Sequence, residues 1–128
     1  MALTDYTWSP KIAVGHDHID GQHGKLLDLA ARVETMLGSY DFDETLEALD
    51  EVVQYTRVHF RDEEDILREA GYADLDQHMR KHQAIMATVD FAWSQRTSMS
   101  IDEVFLIIRD VVIRHITTVD SEYKPVFG

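Results

Sequence analysis

Cysteine is absent from the 128-residue sequence. The chain therefore has no disulfide framework, no thiolate metal site and no cysteine nucleophile, and a metal site would have to use nitrogen and oxygen ligands. Proline is also scarce, since the only two, Pro10 and Pro125, stand near the ends of the chain. The interval between them is free for long helices, because an interior proline breaks a helix.

Positive charge is scarce as well. Lys and Arg number 12 against 24 Asp and Glu, which gives a net charge of -12, and the basic residues are scattered along the chain. We therefore expect no binding to nucleic acid or to anionic lipid. No apolar run is long enough to cross a bilayer, and the start of the chain lacks the pattern of a signal peptide. We expect a cytoplasmic protein with no membrane association.

The periodicity of the apolar residues is helical almost throughout. With 128 residues and 45% hydrophobic content, the chain is long enough for one domain and too short for two. Asp20 is a candidate N-cap, Gly71 suits a helix end, and Ser100 with Glu103 has the spacing of a capping box. We predict an irregular arm over 1–19, helices over 20–38, 43–70, 74–96 and 100–119, and a single domain over 1–128. Four helices with short connections indicate an all-α, antiparallel up-and-down bundle.

A few polar residues interrupt the apolar helical stripes, where they are costly unless paired. They are His23, His59, Glu63, His78, His82 and His115. In an up-and-down bundle, the ends of helices two and four share a layer with the starts of helices one and three. Counting about 1.5 Å per residue from the turn near Tyr72 places Glu63 and His82 at the same height. His59 with Glu63, and His78 with His82, are i, i+4 pairs that project from one helix face.

Asp120 is a further candidate, but its spacing from His115 is awkward. Five residues correspond to about 140 degrees around an ideal α-helix, so Asp120 faces the same site only if the backbone widens or changes pitch. The β-branched residues of "HITTVDSEY" favour such a departure. Five imidazoles and two carboxylates are too many for one tetrahedral zinc and suit two metals of higher coordination number, iron first and manganese second.

Four segments of the chain together resemble a known family. "WSPKIAVGHDHIDGQHGKLL", "HFRDEE", "HMRKH" and "HITTVDSEY" resemble, in order, the four ligand-bearing segments of the bacterial hemerythrins, over the range from Trp8 to Tyr123. The resemblance implies a non-haem di-iron centre that binds dioxygen reversibly. It further implies that the protein is not an enzyme. It also implies oxygen carriage, storage or delivery to an oxygen-consuming recipient protein.

The resemblance also assigns ligands to the two irons. His78, His82 and His115 would bind one iron, and His23 and His59 the other. Glu63 and Asp120 would bridge the two irons together with an oxo or hydroxo group. This set leaves one coordination position open for dioxygen, on the iron with two histidines.

Three positions depart from the pattern expected of this family. Lys81 stands where a glutamate is frequent, Leu67 where a methionine is frequent, and Val111 where a tryptophan often precedes the last histidine. None is an expected ligand. Because valine is smaller than tryptophan, we expect Val111 to affect oxygen affinity and the autoxidation rate.

Other functions fit parts of the same pattern. A ferritin-like oxidase would need Glu-x-x-His motifs, which are missing, and a zinc protease would need a glutamate where Met79 stands. An oxygen or redox sensor that signals to a partner, and a scavenger of peroxide or nitric oxide, remain as alternatives. His16 and His18 are interpreted as exposed loop residues, and Asp62, Glu64 and Asp65 as surface acids.

Overall fold

Four long α-helices make up most of the structure. The computed structural model describes residues 13–38 and 41–127. The helices are α1 (Asp17–Met36), α2 (Phe42–Glu69), α3 (Leu75–Ser94) and α4 (Ile101–Arg114). Both α1 and α3 pack against α2 and α4, which closes the predicted all-α, antiparallel up-and-down four-helix bundle. The described ranges contain no strand.

Helix α1 begins earlier than the sequence predicts. The helix starts at Asp17, and the side chain of His16 accepts a hydrogen bond from the backbone N–H of Ile19 at the N-cap position. The prediction of Asp20 as N-cap was wrong, because its carboxylate accepts from the N–H of Val14 at 2.8 Å instead. Of the predicted arm over 1–19, residues 17–19 belong to α1 and residues 13–16 precede it. Residues 1–12 lie outside the described ranges.

The other helix ends follow familiar capping chemistry. Asp41 caps α2 by accepting from the N–H groups of Asp43 and Glu44, and the helix begins at Phe42, one residue before the predicted start. Gly71 follows α2 with φ +73, a left-handed conformation that favours glycine. Ser100 caps α4 as its spacing predicts, since its hydroxyl accepts from the N–H of Glu103 and donates to Oε1 of the Glu103 side chain.

The predicted fourth helix, 100–119, is α-helical only as far as Arg114. A π-helix continues the chain over His115–Val119, and a 3₁₀-helix extends over Asp120–Phe127. The 3₁₀-helix includes Pro125 and places Tyr123 in a fully buried position at the end of the bundle. The chain beyond residue 119, for which the sequence predicted no helix, is thus helical with a changed pitch.

Two apolar clusters fill the interior. The larger, here the main core, includes Leu26, Val33, Leu49, Val53, Val89, Phe105 and Ile108. The smaller, here the end cluster, consists of Val14, Ile19, Leu67 and Tyr123 with partly buried neighbours such as Tyr72 and Phe127. Along α1, α2 and α3 the residues of the candidate site lie between the residues of these two clusters. None of the helices in the described ranges has both the length and the apolar character needed to cross a membrane.

Candidate metal centre

The structure brings all the predicted ligand residues into one buried cluster between the main core and the end cluster. None of these residues is more than 3% exposed. They are His23, His59, Glu63, His78, His82, His115 and Asp120. The order of residues along α2 shows the placement, since Val53 belongs to the main core, Glu63 to the site and Leu67 to the end cluster.

Glu63 lies at the centre of the cluster and divides its histidines into two groups. Its Oε1 lies 2.8 Å from Nε2 of His78 and 3.0 Å from Nε2 of His82. Its Oε2 lies 3.2 Å from Nε2 of His59 and 3.4 Å from Nε2 of His23. The i, i+4 spacings in α2 and α3 produce this arrangement, because each pair projects from one helix face.

Asp120 divides the histidines in the same way. Its Oδ1 lies 2.8 Å from Nε2 of His115 and 3.1 Å from Nε2 of His78, whereas its Oδ2 lies 3.0 Å from Nε2 of His23. Two possible ligand sets result, and within each set the donor atoms lie within 4.8 Å of one another. One set is Glu63, His78, His82, His115 and Asp120, and the other is His23, His59, Glu63 and Asp120. Both carboxylates belong to both sets.

A change of helical pitch brings Asp120 to the site. In the π-helix the backbone N–H of Asp120 donates to the carbonyl of His115, five residues earlier, instead of four as in an α-helix. The hydroxyl of Thr117 donates to the carbonyl of Ile113, and that of Thr118 to the carbonyl of Arg114. The expected widening between His115 and Asp120 is therefore present.

The two carboxylates remain ionised in the absence of a metal. Burial by itself would raise the pKa of Glu63, but the surrounding imidazole nitrogens, at 2.8 to 3.4 Å from its oxygens, outweigh burial and hold the pKa well below its ordinary value. Burial and the charge of Glu63 would raise the pKa of Asp120, yet the histidine nitrogens at 2.8 to 3.1 Å from its oxygens lower it. Each of the two carboxylates therefore offers a negative charge to a cation.

The histidines respond to the same balance in different ways. Burial disfavours the imidazolium of His23 and of His78, but the adjacent carboxylates of Asp120 and Glu63 prevail and raise both pKa values to about 9. For His59 burial prevails and lowers the pKa. The protons on His23 and His78 thus balance the charges of the two carboxylates in the metal-free cluster, and bound cations would displace them.

The unsatisfied donors and acceptors of the cluster fit metal ions. Within the described ranges, Nε2 of His23, His59, His82 and His115 and both oxygens of Asp120 are buried without a partner in hydrogen-bond geometry. Several of these nitrogens lie about 3 Å from a carboxylate oxygen, as the distances above show, without a hydrogen bond to it. Cations between these atoms would satisfy both sides, and an all-nitrogen-and-oxygen donor set suits iron or manganese.

A layer of further side chains, which the sequence did not reveal, binds the candidate ligands from outside. The Nδ1 of His59 lies 2.7 Å from Oε1 of Gln22, and the Nδ1 of His82 lies 2.7 Å from Oε2 of Glu64. Tyr123 donates a hydrogen bond of 2.9 Å to Oε2 of Glu63. The interpretation of Glu64 as a surface acid was therefore incomplete, since it is only 20% exposed and bonded to His82.

Other side chains near the site differ from the sequence interpretation or add to it. His18 lies in the first turn of α1, not in a loop, and contacts Asp62. The ring of Phe60 stacks on His82, with 3.8 Å between centroids. A groove of about 410 Å³ between α3 and α4 reaches His115 and is lined by Val111. Val111 is the valine that stands where a tryptophan is frequent in the family.

Comparison with known proteins agrees with this geometry. The family model described as "Hemerythrin HHE cation binding domain" matches residues 14–127. The chain belongs to the hemerythrin family. This membership confirms the resemblance seen in the sequence and supports a di-iron, oxygen-binding domain.

Relatives of known name include bacteriohemerythrins and a myohemerythrin. A bacteriohemerythrin from Stenotrophomonas maltophilia is 34% identical over 89 residues, which cover 70% of this chain and 57% of that protein. One from Clostridium acetobutylicum is 26% identical and covers 92% of this chain and 98% of the relative. A myohemerythrin from Theromyzon tessulatum is 27% identical and covers 93% and 91%. No solved structure matches the chain.

Proposed function

We propose that this protein binds dioxygen reversibly at a non-haem di-iron centre and serves oxygen carriage, storage or delivery. The observation that carries the proposal is the sharing of Glu63 and Asp120 between two buried sets of histidines. A carboxylate whose two oxygens face different histidine groups is suited to bridge two cations. A single-metal site would not need both oxygens of both carboxylates.

The two sets of donors are unequal, and this inequality suits ligand binding. One set contains three histidines and the other two, while both use the same two carboxylates. We assign His78, His82 and His115 to one iron and His23 with His59 to the other. The position with fewer protein ligands is the one we propose for dioxygen. A bound iron pair would supply the two electrons that dioxygen takes up and returns on release.

The chain's own residues bury the centre and supply it with two ionised carboxylates. The main core covers it on one side and the end cluster on the other. Because Glu63 and Asp120 stay ionised, they offset part of the charge of two cations. The hydrogen bond from Tyr123 holds Glu63 in place at the oxygen that faces His23 and His59.

We propose a binding protein and not an enzyme, because the buried histidines and carboxylates of the cluster all fall into the two ligand sets. No member of these sets is then left over as a general acid or base.

A visible spectrum tests the proposal. The purified protein is loaded with Fe²⁺ under anaerobic conditions, and its spectrum is recorded before and after air is admitted and again after evacuation. We expect a colourless solution that gains oxygen-dependent visible bands and loses them under vacuum. Asp120→Ala provides the matched control and should show no such bands. Protein that holds iron at two per chain, as the two sets predict, but never develops the bands would contradict reversible binding.

A further inference from the structure

Two candidate ligands are held from outside by different kinds of acceptor. The Nδ1 of His59 faces the amide oxygen of Gln22, and the Nδ1 of His82 faces a carboxylate oxygen of Glu64, both at 2.7 Å. These two histidines belong to different ligand sets. A difference between their outer partners is therefore a difference between the two metal positions.

The orientation of the Gln22 amide is fixed by Asp62. The Nε2 of Gln22 donates a hydrogen bond of 2.8 Å to Oδ2 of Asp62. A carboxylate only accepts hydrogen bonds, so the amide NH₂ must face Asp62 and the amide oxygen must face His59. His18, at 3.2 Å from the same oxygen of Asp62, holds this carboxylate from the solvent side.

The contacts from Asp62 to Gln22 and from Gln22 to His59 fix the tautomer of His59. Because the Gln22 oxygen is an acceptor, Nδ1 of His59 must carry the proton, and its Nε2 lone pair then faces Glu63. Glu64 imposes the same tautomer on His82 directly. Both histidines thus direct Nε2 towards the centre, but the Nδ1–H of His59 donates to a neutral amide and that of His82 donates to a carboxylate.

We infer that Asp62, Gln22 and Glu64 are positioning residues that make the two metal positions chemically unequal. The inference rests on the proposed di-iron centre. A carboxylate draws the imidazole proton more strongly than an amide does, so His82 is the stronger electron donor of the two. The position with three histidines therefore favours the more highly charged metal, and the position left open for a small ligand receives the weaker donor.

Exchange of the amide and the carboxylate is the sharpest test. The double variant Gln22→Glu with Asp62→Asn keeps the number of hydrogen bonds and the net charge, but it places the carboxylate directly on His59. Zn²⁺ serves as a diamagnetic probe in NMR of the labelled histidines, and iron serves in Mössbauer spectra of the same proteins. We expect the His59 Nδ1–H resonance to move downfield towards that of His82, and the signals of the two irons to become more alike.

Single variants at partly exposed positions carry the test if the double variant does not fold. Glu64→Gln should shift only the His82 N–H resonance upfield and weaken Zn²⁺ binding at that position by about 10- to 100-fold. Asp62→Asn should shift the His59 resonance without changing that of His82. Asp65→Asn is the matched control on the same helix, because Asp65 pairs with Arg68. It should leave both resonances unchanged.

The outcomes separate this inference from the proposed function. Protein that binds two ions per chain but shows equal His59 and His82 resonances, or shifts every histidine together in Glu64→Gln, overturns the inference and leaves the di-iron proposal standing. Protein that binds no ions contradicts the di-iron proposal. In that case the His59 tautomer in the metal-free protein still decides whether Gln22 and Asp62 fix it.

Discussion

His115 and Asp120 are five residues apart, yet Nε2 of His115 lies 2.8 Å from Oδ1 of Asp120. On a regular α-helix these side chains would be separated by about 140 degrees. The π-helix over His115–Val119 removes this separation, because it accommodates one extra residue in the turn without rotating the residues after it. The pairing of these two residues therefore depends on backbone pitch.

Changes in chain length should reveal this dependence. Deletion of Thr118, which is exposed, converts the wide turn to a regular one and leaves His115 and the aspartate at i, i+4. We expect this variant to retain both bound metal ions. Insertion of one alanine after Thr118 should rotate Asp120 away by about 100 degrees and abolish binding at both positions. Metal analysis of purified protein checks the pair of variants, and equal metal content in both would contradict the role of the π-helix.

Removal of a shared ligand and removal of an unshared ligand should have different effects. His59 belongs to one ligand set, so His59→Ala should reduce the bound metal from about two ions per chain to about one. Asp120 belongs to both sets, so Asp120→Ala should lower metal content below that of His59→Ala. Asp110→Ala, at an exposed acid on α4, is the control. Equal metal loss in the His59 and Asp120 variants would argue against a shared centre.

The metal-free protein should be most stable in mildly acidic solution. The pKa values of His23 and His78 are raised to about 9, so their contribution is complete below about 6.5 and is lost as pH rises through about 9. The pKa values of Glu63 and Asp120 are lowered, so their contribution is lost as pH falls below about 4. We expect the free energy of unfolding to fall by at least about 1 kcal/mol between about pH 6 and pH 9.5.

Urea unfolding at a series of pH values measures this dependence. Zn²⁺-loaded protein is the comparison, because bound cations displace the imidazole protons and remove the alkaline loss. Metal-free protein that is as stable at alkaline as at mildly acidic pH would show that the imidazolium–carboxylate pairs do not stabilise the fold.

The sequence predicted the parts of this architecture that depend on local spacing. The i, i+4 pairs His59 with Glu63 and His78 with His82 lie on common faces, and the bundle topology brings them to one level. Asp20 was misassigned as the N-cap of α1. It lies inside the helix, and its carboxylate accepts from the N–H of Val14, which precedes the helix. Asp120 was harder to place, since regular spacing puts it on another face and only a change of helical pitch, which the sequence favoured but did not define, brings it to the site.

The outer layer of the site could not be read from the sequence. Gln22 and His59 are 37 residues apart, Glu64 and His82 are 18 apart, and Glu63 and Tyr123 are 60 apart. Such contacts depend on how the helices are rotated against one another, which periodicity does not specify. Gln22 and Glu64 are each adjacent in sequence to a candidate ligand, His23 and Glu63, and this was the only available signal.

Tyr123 should stabilise the fold through its hydroxyl. Its hydrogen bond to Glu63 is fully buried and has a charged acceptor. We expect Tyr123→Phe to lower the free energy of unfolding of the metal-free protein by about 1 to 3 kcal/mol. Tyr72→Phe, at a ring that packs edge-on against Tyr123, is the control, and chemical unfolding is the measurement. Equal stability of wild type and Tyr123→Phe would show that this bond does not stabilise the fold.

Val111 should influence how long the reduced protein survives. It lines the groove between α3 and α4 that reaches His115, and a larger ring there would fill part of this space. We expect Val111→Trp to slow conversion of the iron-loaded protein to the ferric form in air. Leu106→Trp, at an exposed position on the same helix, is the control. An unchanged or faster conversion in Val111→Trp, monitored by its visible spectrum, would count against a role for the groove.

The stoichiometry of oxygen uptake is the most direct test of a shared di-iron centre with one reversible site. Protein loaded with Fe²⁺ under anaerobic conditions is exposed to a known amount of dioxygen, and the gas taken up and the gas released on evacuation are both measured. We expect one dioxygen for each pair of irons, since one of the two ligand sets has fewer protein donors, and full recovery of the gas. Uptake that is not recovered, or one dioxygen for each iron, would contradict a single reversible site at a shared centre.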